Sequence, residues 1–171
     1  MKNIQEYLIT LGKVLFRYRA VIAVPFFVVL VILSRPTIKP LAGCILLLAG
    51  LGIRLWAAGY IGTRGRTRVF RTDCRIINGP YQMLRHPLYI GNFLLVLGVT
   101  VLYGPPRWYA CLTVVSYITV YSIIAYSESC NLRELPEIRV AYRLVNLRGE
   151  VSTLICVCVI CILYVILGFL K

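Results

Sequence analysis

Val151 to Leu170 reads V-S-T-L-I-C-V-C-V-I-C-I-L-Y-V-I-L-G-F-L, twenty residues without one charged side chain. A helix of that length rises about 30 Å, the thickness of a bilayer's hydrocarbon core. The run therefore predicts a transmembrane helix, and it sets the scale for reading the rest. The chain has 171 residues, 60% of them hydrophobic, and a mean hydropathy of +0.82. Soluble domains of this size are nearer half apolar. The excess is gathered into blocks rather than spread.

Working outward, four more blocks qualify. Leu41–Ile61 is broken only by Arg54. Trp108–Tyr126 is uninterrupted. Leu88–Tyr103 is weak by length, and its Gly91 and Gly98 predict close helix packing. Ala20–Ser34 is short and carries Pro25; it lengthens at its N-terminal end if Arg17 and Arg19 snorkel to the interface. Ahead of it, Ile4, Leu8, Leu11 and Leu15 recur at helical spacing, with Lys2, Glu6 and Lys13 off the stripe. That pattern predicts an amphipathic helix over 1–19 lying on the membrane surface. The expected fold is all-α: a polytopic integral membrane protein, one membrane domain over 1–171, with five transmembrane helices at 20–34, 41–61, 88–103, 108–126 and 151–170. The late apolar run and Ser34-Arg35-Pro36, which lacks a small-residue cleavage site, argue against a cleavable signal.

The formal net charge is +13. In a soluble chain that would suggest nucleic acid. Here the basic residues sort by connection. Lys2, Lys13, Arg17 and Arg19 precede the first span. Arg64, Arg66, Arg68, Arg71, Arg75 and Arg85 lie between the second and third, and Arg133, Arg139, Arg143 and Arg148 between the fourth and fifth. These 14 fall on one side; Arg35, Lys39, Arg107 and Lys171 fall on the other. The positive-inside rule then places the N-terminus and both long basic loops in the cytoplasm, and membrane lipids rather than nucleic acid are the expected partners. Nothing in the sequence names a protein partner. The seven cysteines do not form a disulfide framework: Cys44, Cys111, Cys156, Cys158 and Cys161 lie in spans, and Cys74 and Cys130 in loops expected to be reducing. Cys158 and Cys161 form a C-x-x-C in an apolar helix, where small packing residues are the ordinary reading.

Polar chemistry is sparse. There is one histidine, His86, and there are six acids. No Ser-His-Asp set, metal-ligand cluster or phosphate-cradling loop can be assembled from them. The informative stretch is Asn78 to Gly91, N-G-P-Y-Q-M-L-R-H-P-L-Y-I-G. Asn78-Gly79-Pro80 predicts a turn, Tyr81–Leu84 a short interfacial helix. Pro87 suits the first turn of the third span, where its missing N–H is not needed. His86 then sits at a helix N-terminus at the membrane surface, with Arg85 before it and Tyr89 after it, a place that can hold an anionic group and a ring.

This stretch, G-P-Y-x-x-x-R-H-P-x-Y-x-G, resembles the signature of the isoprenylcysteine carboxyl methyltransferase family, whose broader superfamily includes phospholipid N-methyltransferases. The resemblance extends upstream through Arg54-Leu55-Trp56-Ala57-Ala58-Gly59-Tyr60-Ile61-Gly62. It implies a membrane methyltransferase that uses S-adenosylmethionine and takes a lipid-like or prenylated small-molecule acceptor. Position by position it implies cofactor contacts at His86, Pro87, Leu88 and Tyr89, at Tyr81, and at Asp73, Cys74, Arg75 and Ile76. The family's second motif follows the fourth span. Glu128 and Leu132 match its first glutamate and its leucine, which gives Glu128 a cofactor-binding and catalytic role beside Arg85. Ser129 stands where the second glutamate would be, Pro136-Glu137 replace Phe-Gly, and Ile124 replaces an arginine linked to the prenylcysteine carboxylate. These departures bear on the methyl acceptor, and they leave three readings: carboxyl O-methylation, phospholipid or amine N-methylation, and a degenerate membrane scaffold. The sparse polar inventory suits methyl transfer from a sulfonium, which needs alignment and dryness more than acid–base help. In this reading Glu128 pairs with the cofactor's ammonium, His86 or Arg85 holds its carboxylate, and Tyr81 and Tyr89 face the adenine or the sulfonium. Arg54, alone in mid-span, is expected to have a structural partner.

Overall fold

A backbone in hydrocarbon must satisfy its hydrogen bonds internally, so the apolar blocks fold as helices. The computed structural model describes residues 2–35, 40–61, 74–132 and 135–170. Asp73, with Lys39, Arg64, Arg66, Arg68, Arg71, Arg133 and Lys171, lies outside the described residues. In chain order the elements are α1 (Lys2–Ile32), α2 (Pro40–Ile61), β1 (Arg75–Ile76), α3 (Pro80–Met83), α4 (Pro87–Tyr103), α5 (Arg107–Leu132), β2 (Glu137–Ile138), a 3-10 helix (Leu144–Glu150) and α6 (Val151–Leu170). Four stretches are long and apolar enough to cross a membrane: Ile4–Ile32, Pro40–Ile61, Arg107–Leu132 and Leu144–Phe169. α4, with 17 residues, is the shorter fifth. The protein is an all-helical polytopic membrane protein.

Two antiparallel pairs carry the fold. In the first, α2 and α4 approach through glycine. A Cβ on Gly50 would stand 2.8 Å from the Gly91 carbonyl oxygen, and one on Gly98 would stand 3.0 Å from that of Gly43. Between helices in lipid, such backbone approach replaces the missing hydrophobic driving force with dispersion contact. In the second pair, α1 and α5, the buried Ser127 hydroxyl donates to the Ile9 carbonyl at 2.9 Å, and Tyr109 donates to the Phe26 carbonyl at 2.6 Å. α6 joins at the far end of the bundle, where Tyr103 donates to the Ile160 carbonyl at 2.8 Å. There Leu30, Leu47, Val99, Leu102, Tyr103 and Tyr109 form the core. Gly104, at φ 52° and ψ 49°, ends α4 in the left-handed conformation, and Pro105-Pro106 separate it from α5.

Two expectations change, and one local feature is new. The break expected near Arg19 is absent: Lys2–Ile32 forms one 31-residue helix, because the N-terminal turns pack along α5 at Gly12 and Ser127. The fourth helix does not stop at Tyr126 but runs to Leu132, so Glu128 is helical rather than in a loop. The Ser127–Ile9 contact and the Asn131 side-chain bond to the Ser127 carbonyl, 3.0 Å, hold those last turns. The all-α class holds, and the connections add a short parallel strand pair, Arg75 opposite Glu137 and Ile76 opposite Ile138. It joins the connection after α2 to the one after α5.

Candidate functional site

The N-G-P turn forms as its sequence requires. Gly79 takes φ 63° and ψ −138° with the Tyr60 ring against it, where a Cβ would stand 2.5 Å from two ring carbons. The Asn78 amide grips the other connection: its Nδ2 donates to the Val140 carbonyl at 2.7 Å, and its Oδ1 accepts from the Val140 N–H at 3.0 Å. α3 follows, and then His86 as N-cap of α4 with Pro87 at the first position. Sequence alone placed the histidine correctly at the helix start.

His86 meets the end of α5. Its Nδ1 lies 3.2 Å from Glu128 Oε2, and its Nε2 lies 3.0 Å from Ser129 Oγ. Glu128 and Ser129 thus flank the imidazole, one at each ring nitrogen, and the serine hydroxyl serves Nε2 as donor or acceptor. The Tyr89 ring stacks on the imidazole, centroids 5.4 Å apart at 15°. Tyr121 meets Tyr89 edge-on at 5.3 Å and stacks on Tyr117 at 4.1 Å. The Tyr117 hydroxyl donates to the Tyr89 carbonyl at 2.7 Å. His86, Tyr89, Tyr117 and Tyr121, with Arg85, Ile90, Phe93, Ile118, Ser122 and Ala125, line an open groove of about 450 Å³ between α4 and α5. Exposed Ile90 and Ile118 make its outer lip apolar.

Tyr81 lies behind this cluster. Its hydroxyl is buried and has no hydrogen-bond partner among the described residues. Burial first, and the nearby Glu128 charge second, push the phenol's pKa above the usual tyrosine range. A buried hydroxyl normally has a partner, so this oxygen is a buried polar atom left unsatisfied among the described residues.

Of the residues picked out from sequence, the structure gathers Tyr81, His86, Tyr89 and Glu128, with Pro87 and Leu88 in the supporting turn and Arg85 exposed at the groove. Arg75 and Ile76 lie in the connection after α2. They form β1, and the Arg75 guanidinium bonds Glu137 Oε1 at 3.1 Å on the surface. Sequence reasoning missed Ser129 as a histidine partner, although its position in the motif had drawn notice. It also missed Tyr117 and Tyr121, whose one-turn spacing and lack of charge look like any aromatic pair in a span. Ile124, which stands where the resemblance implied an arginine, is fully buried.

Sequence comparison bears on this arrangement. The profile described as "Phospholipid methyltransferase" matches residues 38–135, more than half of the chain. The chain belongs to the phospholipid methyltransferase family. Members of this family are S-adenosylmethionine-dependent methyltransferases, and the matched region contains α2 through α5 with His86 and Glu128. A relative among characterised proteins is the nickel-cobalt-cadmium resistance protein NccN of Alcaligenes xylosoxydans xylosoxydans. It is 34% identical over 85 residues, which cover 49% of this chain and 37% of that protein. The chain thus spans little more than a third of that relative. No solved structure matches the chain significantly.

Proposed function

We propose that the protein transfers a methyl group from S-adenosylmethionine to a lipid-like acceptor, with the cofactor held at Tyr81, His86, Tyr89 and Glu128 and the acceptor reaching it through the α4–α5 groove. The observation that carries this is the His86–Glu128–Ser129 cluster packed beside the buried, unpartnered Tyr81 hydroxyl. The cofactor's chemistry matches these groups: a hydrogen-bonding partner for the Tyr81 phenol, a carboxylate for an ammonium, and aromatic faces for a sulfonium. Both imidazole nitrogens are occupied by protein groups. His86 therefore orients Glu128 rather than holding the cofactor's carboxylate, and the exposed Arg85 guanidinium is left for an anionic group.

When bound, the cofactor supplies an electrophilic methyl on a good leaving group. The chain's own residues bind, orient and exclude water. Glu128 stays aligned through His86 Nδ1, and Ser129 fixes the imidazole from its other side. Tyr89, Tyr117 and Tyr121 make a dry aromatic wall along which an acceptor aligns. The apolar lip supports access from the bilayer. The basic-residue count supports a cytoplasmic location for the face bearing His86, as a water-soluble cofactor requires.

An amine headgroup is favoured over a prenylcysteine carboxylate. Buried Ile124 supplies no cation for a carboxylate. The aromatic groove suits a substituted ammonium, and Arg85 at the groove suits a lipid phosphate. The test is calorimetric titration of the purified, detergent-solubilised protein with S-adenosylhomocysteine, then transfer of labelled methyl into lipid extracts and prenylcysteine analogues. Base-stable labelled lipid is expected. A base-labile ester identifies the carboxylate acceptor instead, and a folded protein that does not bind the cofactor product refutes the proposal in favour of a scaffold.

A further inference from the structure

Arg54 was expected to have a structural partner; the structure supplies four bonds. Its Nε and Nη2 donate to Glu150 Oε2 at 3.0 and 2.8 Å, and Nη2 also donates to Thr153 Oγ1 at 3.2 Å. Nη1 donates to Asn92 Oδ1. The side chains of Arg54 and Glu150 are only 11% and 5% exposed. Each guanidinium nitrogen is thus occupied within the protein, so this arginine is not a ligand-binding cation.

Stability alone does not account for the pair. Two buried charges lose hydration that their attraction roughly repays, and well-packed apolar replacements are often as stable or more so. What the pair does supply is position. Glu150 ends the 3-10 helix and so anchors the strap that begins at β2. That strap is fastened above it to the end of α2, where the Gly59 carbonyl accepts from the Arg143 N–H at 3.0 Å and from Asn146 Nδ2 at 2.8 Å. Tyr142 packs edge-on to Tyr60 there, centroids 5.6 Å apart. On its other side Arg54 holds Asn92, six residues beyond His86 on α4. Asn92 in turn meets the Tyr121 phenol that lines the groove. The buried Tyr81 phenol feels the charges of Glu128, Glu150 and Arg54 alike.

We infer that Arg54 and Glu150 are positioning residues for the ligand site: their buried pair fixes Asn92 and Tyr121 at the groove and locks the 137–150 strap over the end of α2. Its link to ligand affinity rests on the cofactor reading above, whereas the locking itself does not. The experiment uses the full chain in detergent. Wild type is compared with Glu150→Gln and with the double replacement Arg54→Met/Glu150→Leu, which removes both charges together. Hydrogen exchange is read first, without ligand. Both variants are expected to exchange faster at Ile138, Val140 and Arg143, while the α2–α4 interior keeps its protection. Unchanged exchange at those amides overturns the inference, whatever the cofactor does. Affinity for S-adenosylhomocysteine is read second. The double replacement is expected to regain the wild-type melting temperature yet remain weaker in binding by roughly 10- to 100-fold, the scale for a displaced site group. Recovery of affinity together with stability makes the pair merely structural and also overturns the inference. Wild-type protein that fails to bind sinks the cofactor reading, and the exchange result then judges the lock alone.

Discussion

Replacing Tyr81 by phenylalanine removes one oxygen from a place where the described residues offer it no partner. The two consequences have opposite signs. In the ligand-free protein, an unsatisfied buried hydroxyl costs about 1–3 kcal/mol, so Tyr81→Phe should stabilise by that amount. For a chain of this size each kcal/mol moves the melting temperature by roughly 2–4 °C, so a rise of about 2–12 °C is expected. If the same hydroxyl bonds the cofactor, the variant loses a neutral hydrogen bond there, about 0.5–1.5 kcal/mol, or roughly 2- to 12-fold in affinity. The assay pairs thermal unfolding followed by near-ultraviolet circular dichroism with calorimetric titration of S-adenosylhomocysteine, both in one detergent. A stabilised variant that binds less tightly is the expected result. A destabilised variant shows that the hydroxyl has a partner without ligand, and a stabilised variant with unchanged affinity places the ligand elsewhere; either refutes the reasoning.

The same phenol predicts a pH effect. Its folded pKa is raised, so its contribution to stability is complete below about pH 10, where free tyrosine begins to ionise, and falls as pH rises toward the folded value. Denaturation of wild type above that pH should therefore steepen relative to Tyr81→Phe by about 1.4 kcal/mol per pH unit, and parallel curves would count against the burial. Gly91→Val places a Cβ 2.6 Å from Arg54 Cγ and 3.0 Å from the Gly50 carbonyl oxygen; a loss of about 1–3 kcal/mol is expected in chemical denaturation, whereas Gly52→Ala, which meets nothing within 4 Å, should cost nothing. Glu128→Gln keeps shape but removes charge, and should weaken cofactor-product binding by roughly 10-fold in the calorimeter. Cys158→Ala, exposed on α6, should leave that binding unchanged.

Much of this was legible in the chain itself. The Val151–Leu170 run became α6 with the same ends, because transfer of apolar side chains out of water is a local property summed along one segment. Gly79, Pro80 and Pro87 act through their own dihedral limits, so the turn and the start of α4 could also be read locally. Hence His86 was placed correctly at a helix N-terminus before any packing was known. What hydropathy does not encode is which helix lies against which. The expected boundary at residue 19 failed because contact with α5, over a hundred residues away, continues α1 past it. Glu128 was expected in a loop, but packing of Ser127 on Ile9 keeps it helical and within reach of His86. Ser129 looked like the loss of a motif residue until the fold set it against the second imidazole nitrogen. Arg54 announced only that it needed a partner; that the partner is Glu150, 96 positions on, follows from close approach at Gly50 and Gly91 and from the return of the chain across Gly59. Apolar blocks and turn residues settle where helices begin and end, while charge pairs and hydrogen bonds between them depend on distances that exist only once the helices are packed.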